Sequence, residues 1–391
     1  MKKTRIISVI MSSAIFVQSV PCFAANAQPE KEGTMREITT MELVRDMGIG
    51  INLGNTFEAC GDWISNSSVT NYETAWGSPV ITEPMIRGYA AAGFGVLRIP
   101  VAWSNMMQEN YTVHPDYLKR VHEVVTWALN ANLYVILNIH YDGGWWADFA
   151  DSAKKDACMT KYRRIWEQVS AEFKTESGKL MFESLNEEGC WDTIWNRYGD
   201  NQNGKSDAYK LLNEINQTFV DTVRKSGDNN KLRHLLIAGY ATDVALTCDE
   251  AFKMPKDSAE HCAVSVHYYT PATFCILEED SNWGKMRTEW GDDADKEELR
   301  KNMDLLKTTF IDKGIPVIMG EYGTTKKERS EEVVRLYLTS VCSEAYSRGI
   351  CPILWDTTDN FYDRKNAKML DETLNQQLVS IVNPNAEKQA A

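Results

Sequence analysis

Phe182-Glu183-Ser184-Leu185-Asn186-Glu187-Glu188 decides how the rest of this chain is read. Lys179 to Leu185 is a short, largely apolar run that follows a long amphipathic segment, and it stops on Asn186-Glu187. Such a run reads as a buried strand whose last residues reach the surface. A carboxyl there stands half in an apolar wall and half in a cleft, which favours its neutral form and raises its pKa toward the range useful for donating a proton. A helix start or a surface ion pair would place a glutamate there equally well. The other strand ends have to decide.

Working outward, the same pattern recurs along the chain. Short apolar runs at Asp46–Leu53, Gly95–Ile99, Leu133–Ile139, Arg233–Ala238, Ala263–Val266, Pro316–Met319 and Cys351–Leu354 each end on polar or aromatic residues. Segments of helical spacing follow them, among them Thr82–Ala92, Ala153–Phe173, Asp207–Val223 and Ser330–Ser347. Gly93, Gly314 and Gly349 stand where helices should stop. With Lys179–Leu185 the strands number eight, and strands alternating with helices imply parallel pairing through right-handed crossovers. The expected fold is therefore α/β, a single (β/α)8 TIM barrel over residues 41–391 with long loops at the C-terminal face of the strands. An open doubly wound sheet would carry a Gly-rich phosphate turn after its first strand. Gly48-Ile49-Gly50-Ile51-Asn52 lacks the third glycine of that turn.

Composition narrows the function. At 391 residues and 43% hydrophobic, the chain can bury a large core. Lys2, Lys3 and Arg5 precede an apolar run from Ile6 to Val20, and Ala25-Asn26-Ala27 is a small-x-small cleavage site. Residues 1–27 thus read as a bacterial-type export signal, giving a secreted or periplasmic protein, and residues 28–40 as a flexible lead-in. Pro21 makes Cys22 a poor lipidation site. Without the leader, 39 cations face 55 acids, a net −16 that argues against a nucleic-acid partner and suits an uncharged substrate. The eight remaining cysteines are irregularly spaced, and the export route permits but does not dictate disulfides. No further run is long enough to span a membrane, and a monomer is expected.

A barrel gathers the C-terminal ends of all its strands around one mouth. Arg98, His140, Asn186, Glu187, His267, Tyr269, Glu321 and Trp355 all stand at such ends. Each has an ordinary structural explanation alone; eight on one rim make a site. Glu187 ends the fourth strand and Glu321 the seventh, so two carboxyls face each other across the opening. Two such groups with environments that push their pKa values apart can cleave an acetal. Glu321 reads as the nucleophile, kept ionised by Arg98 and Tyr269, and Glu187 as the proton donor. Trp63, Trp76, Trp145, Trp146, Trp191 and Trp283 are candidate platforms for the apolar faces of sugars.

Seven motifs carry a resemblance: Gly50-Ile51-Asn52-Leu53-Gly54-Asn55-Thr56, Leu97-Arg98-Ile99-Pro100, Asn138-Ile139-His140, Leu185-Asn186-Glu187, Val266-His267-Tyr268-Tyr269, Met319-Gly320-Glu321-Tyr322-Gly323 and Leu354-Trp355-Asp356. In this order they resemble glycoside hydrolase family five, from about Met47 to Asp356. The resemblance implies a retaining endo-β-1,4-glucanase (a cellulase) with Glu187 as acid/base and Glu321 as nucleophile. It implies substrate contacts from Arg98, His140, Asn186, His267, Tyr269 and Trp355. The first and third motifs are most similar to the branch of endoglucanases, lichenases and xyloglucanases. Two positions depart from it: Glu188 stands where many relatives have proline, and Tyr141 where many have a second histidine.

Xyloglucanase, lichenase and β-mannanase activities share this mechanism and stay open as alternatives. A non-catalytic carbohydrate-binding barrel is a further one. A metal-dependent hydrolase would want two histidines close in one strand or helix, and the six present include no such pair. Neither metal nor cofactor is expected.

Overall fold

Eight short strands carry the architecture: β1 (Gly50–Asn52), β2 (Val96–Ile99), β3 (Tyr134–Asn138), β4 (Leu180–Glu183), β5 (Leu235–Ala238), β6 (Cys262–Tyr268), β7 (Val317–Tyr322) and β8 (Cys351–Leu354). In the computed structural model, which describes residues 33–199 and 203–383, each pairs in parallel with the next and β8 returns to β1. The barrel expected from eight strand–helix units is closed, in sequence order. The leader read over residues 1–27 lies outside the described residues.

Side-chain alternation shows why these runs are strands. Along β3, Tyr134 and Ile136 belong to an inner apolar cluster, while Val135 and Leu137 belong to the outer one beneath the helices. Both faces are covered, so the strands read as continuous apolar runs rather than alternating ones. Outside, Trp166 of the helix Lys155–Glu172 packs on Phe182 and Phe219. Inside, Val96, Tyr134, Ile136, Met181, Leu236, Ala263, Ile318 and Ile353 fill only the lower part of the barrel. Above them the inward residues turn polar: Asn52, Arg98, Glu183 and Ser265, all fully buried.

The first strand is shorter than the run Asp46–Leu53 suggested, because Thr40–Met47 is helical. Thr39 and Glu42 form a reciprocal capping box, Leu43, Val44 and Met47 share one face, and Gly48 (φ 64°) ends the helix. That face joins the inner cluster and closes the base of the barrel. The end of the expected lead-in is tied there as well: the Thr34 carbonyl accepts from Gly178 N–H at 3.0 Å, and Arg36 donates to Asp46 and to the Tyr134 hydroxyl, both at 2.7 Å. β1 needs Gly50, since a Cβ there would lie 2.5 Å from a Val96 methyl.

Two further elements sit among the upper loops. A helix, Val69–Ala75, lies within the loop after β1, and a two-stranded hairpin, Tyr362–Asp363 with Lys368–Met369, follows β8. All eight described cysteines are unpaired. No helix among the described residues is long and apolar enough to cross a membrane.

Candidate active site

Arg98 organises the mouth of the barrel. It enters from β2, completely buried, and its fork reaches four side chains. Nε donates to Glu183 at 2.7 Å, Nη1 to Glu321 at 2.8 Å and Asn52 at 3.0 Å, and Nη2 to Asn186 at 2.8 Å. A buried guanidinium is tolerable because two carboxylates oppose it and its donors are used. Burial works against its charge, and Glu183 and Glu321 more than offset that. Glu183 and Asn52, both bound to Arg98, are residues of this network that the strand-end pattern did not single out. Glu183 also accepts from Ser265 Oγ at 2.7 Å, so one acid on β4 ties side chains of β2 and β6 together across the barrel. Its signal was present: a glutamate inside an otherwise apolar run.

Glu321 and Glu187 come together as expected from the ends of β7 and β4. One oxygen of each carboxylate, with a ring nitrogen of His267, form a group in which all atoms lie within 4.8 Å of one another. Their surroundings differ. The Glu321 side chain is 6% exposed; Oε1 takes the Arg98 bond and Oε2 accepts from the Tyr269 hydroxyl at 2.9 Å. The Glu187 side chain is 50% exposed and accepts from His267 Nδ1 at 2.7 Å. A register shift between Val266 and His267 sets His267 opposite Glu321. Gly320 leaves room, since a Cβ there would stand 3.2 Å from His267 Nε2.

The electrostatics correct one expectation. Glu187 was expected above the ordinary carboxylate range, and in the free site it lies below it. Burial pushes its carboxyl up, but the His267 hydrogen bond and charge outweigh this. Glu321 is raised: burial prevails over the pull of His267 and Arg98, helped by the charge of Glu187. His267 is itself raised, because Glu321 and Glu187 outweigh its burial. The imidazolium between two carboxylates is the physical reason, and sequence gives no distance between side chains of different strands. Among the described residues the same trio is the grouping most like a metal site, but Arg98 already holds a fixed positive charge against Glu321.

The remaining predicted residues line the same mouth. His140 is buried and stacks on Trp355, with ring centroids 5.7 Å apart and planes 4° from parallel. Burial, then the Arg98 and His267 charges, hold His140 far below the usual histidine range, so it is neutral. Among the tryptophans, Trp63, Trp76 and Trp283 are exposed. Trp145 donates to buried Asp142 at 2.7 Å and Trp146 to the Tyr141 carbonyl at 3.0 Å, so both are partly committed to their own loop. Trp191 is not a platform: it is buried edge-on against Tyr240.

A closed barrel with a guarded carboxylate facing an accessible one defines a class, a (β/α)8 hydrolase equipped to open an acetal. The family model described as cellulase (glycosyl hydrolase family 5) matches residues 57–361, and the chain belongs to that family. It is 34% identical over 351 residues to Endoglucanase A of Clostridium longisporum, covering 89% of this chain and 64% of that relative's length. It is 33% identical over 371 residues to a xyloglucan-specific endo-beta-1,4-glucanase of Bacteroides ovatus, covering 88% of this chain and 70% of that one. Among solved structures it resembles a broad specificity endoglucanase from an uncultured bovine rumen ciliate. The TM-score is 0.80 at 35% identity, over 89% of this chain and 99% of that one.

Proposed function

We propose that the chain is a retaining endo-β-1,4-glucanase in which Glu321 is the nucleophile and Glu187 the acid/base. The single observation that carries this is the pair of carboxylates within 4.8 Å, one oxygen from each. That spacing suits direct attack on the anomeric carbon, whereas inverting enzymes leave about 6.5–9.5 Å for a water. Arg98 and Tyr269 hold Glu321 in place and spread its charge, so its free lone pairs face the sugar. Glu187, open to the cleft, takes up the proton that His267 holds against it in the free site and passes it to the leaving oxygen as the Glu321–sugar bond forms. Once Glu321 is an ester, its negative charge no longer favours the protonated form of Glu187. The same carboxyl then takes a proton from the water that releases the sugar. His267, between the two, follows this proton with its own charge. Trp355, held flat by His140, is the surface for the sugar at the cleavage point.

Exposed Trp63 and Trp283 in the loops after β1 and β6 support an open groove that grips a chain in its middle. Hydrolysis of soluble cellulose derivatives should therefore lower viscosity well before much reducing sugar appears. Viscosity that falls no faster than reducing ends rise would contradict endo action. Xyloglucan is the second substrate, favoured by the likeness to the Bacteroides ovatus protein named for it, and belongs in the same assay. The leader at residues 1–27 supports export, and we take the acting form to be a monomer.

A further inference from the structure

Glu188 follows the proposed proton donor directly and is 1% exposed. Its side chain turns back so that Oε2 accepts the Asn186 N–H at 2.6 Å, while Oε1 has no hydrogen-bond partner among the described residues. Its own carbonyl accepts the Ala241 N–H at 2.9 Å, which joins the loop after β4 to the loop after β5. On the other side of Glu187, the Asn186 side chain is held by Arg98. Glu187 thus rides on a turn clamped at both ends.

The ionisable groups acting on Glu188 are Glu187 and Glu183 from its own segment and Tyr162 from the helix Lys155–Glu172. Tyr162 spends its hydroxyl on the Ser184 carbonyl at 2.9 Å, and Tyr240, from the loop after β5, bonds the Cys190 N–H at 3.1 Å. An ionised Glu188 would bury a charge beside two others of its own sign with one oxygen unpaired. Burial pushes its carboxyl well above the usual range, the two neighbouring charges act in the same direction, and the amide bonds oppose them without prevailing.

We infer that Glu188 is a positioning residue that works as a neutral acid: its carboxyl holds the Asn186 amide, and so the turn that aims Glu187 at the leaving oxygen, without adding a charge beside the proton donor. This rests on the donor role proposed for Glu187. The test compares kcat/KM of wild type, Glu188→Ala, Glu188→Gln and Glu187→Ala on cellotetraose and on dinitrophenyl β-cellobioside, whose leaving group needs no proton. Misaiming the donor should cost Glu188→Ala about 10- to 100-fold on cellotetraose and under about threefold on the aryl glycoside. Glu188→Gln, neutral and of the same shape, should stay within about threefold of wild type on both, with the basic limb of its pH profile superimposed.

Equal losses on both substrates for Glu188→Ala, or no loss on either, overturn the inference. So does a Glu188→Gln variant that falls as far as alanine. A basic limb moved to lower pH in Glu188→Gln also overturns it, since removing a real negative charge would have that effect. If the alanine variant does not fold, the glutamine profile decides by the same criteria. Glu187→Ala separates the two failures. If it shows the leaving-group contrast and Glu188→Ala does not, only the role of Glu188 falls. If it shows none, the donor assignment falls and this inference with it.

Discussion

Arg98 shows how much of the site one side chain sets. Its planar fork meets Glu183, Asn52, Glu321 and Asn186 from three different strands or their ends, a geometry that a lysine ammonium cannot reproduce. The consequence is that Glu321, the proposed nucleophile, has a fixed cation on one side and a titratable one, His267, on the other. Glu321 must be ionised to attack, and its pKa lies above the ordinary carboxylate range. Activity should therefore be lost as pH falls through a value higher than an exposed glutamate would give. His267 is raised, so its proton should persist beyond the ordinary histidine value of ~6.5. Replacing His267 with Asn removes a positive charge that now lowers Glu321. The acid limb of kcat/KM against pH should accordingly move to higher pH. An acid limb that stays put or moves lower would contradict this electrostatic picture.

Between the helix Lys155–Glu172 and β4 the chain turns sharply, and Arg233 from the next strand region holds the turn. Fully buried, it donates to the carbonyls of Phe173, Glu176, Ser177 and Leu180 and to the Asn230 side chain, at 2.6 to 3.0 Å. Its guanidinium lies 5.1 Å from the Phe182 ring centroid. Burial lowers its pKa to about 9, with a carboxylate at Glu176 acting against that. Arg233→Met would leave several buried acceptors unpaired and should cost about 3 kcal/mol or more in urea unfolding. Lysine should recover only part of it. A methionine variant within about 1 kcal/mol of wild type would refute this role.

Elements of this kind also show what sequence could reveal. The strands were legible because burial on both faces leaves unbroken apolar runs, and their polar ends marked Arg98, Glu187, His267 and Glu321 as one rim. The helix Thr40–Met47 was not, because its apolar face merges with the glycine-rich run that follows. The hairpin Tyr362–Asp363 with Lys368–Met369 has two-residue strands, too short to show a period. Trp191 reads like any loop tryptophan until its packing on Tyr240 is seen. Glu183 needed the closed barrel, since its role depends on Arg98 reaching it from β2, two strands away.

For the whole molecule, closure of the barrel converts eight separate strand ends into one rim, where β4 and β7 bring their glutamates face to face. The base, plugged by Thr40–Met47, supplies rigidity, and the polar layer above it holds Glu321 through Arg98. The loop after β6 is anchored at its far end, where buried Trp290 meets Tyr337 edge-on, while Trp283 stays exposed above it. Long-range charge has little part in substrate capture, because a β-glucan is neutral and the chain carries −13 overall. In the retaining reaction proposed, Glu321 becomes covalently bonded to the sugar. An activated fluorinated cellobioside, which forms the glycosyl-enzyme but releases it slowly, followed by digestion and mass spectrometry, tests this directly. The expected result is one sugar attached to Glu321 in the peptide containing Met319-Gly320-Glu321-Tyr322. A sugar attached to another residue, or turnover with no adduct and an α-configured first product, would contradict it.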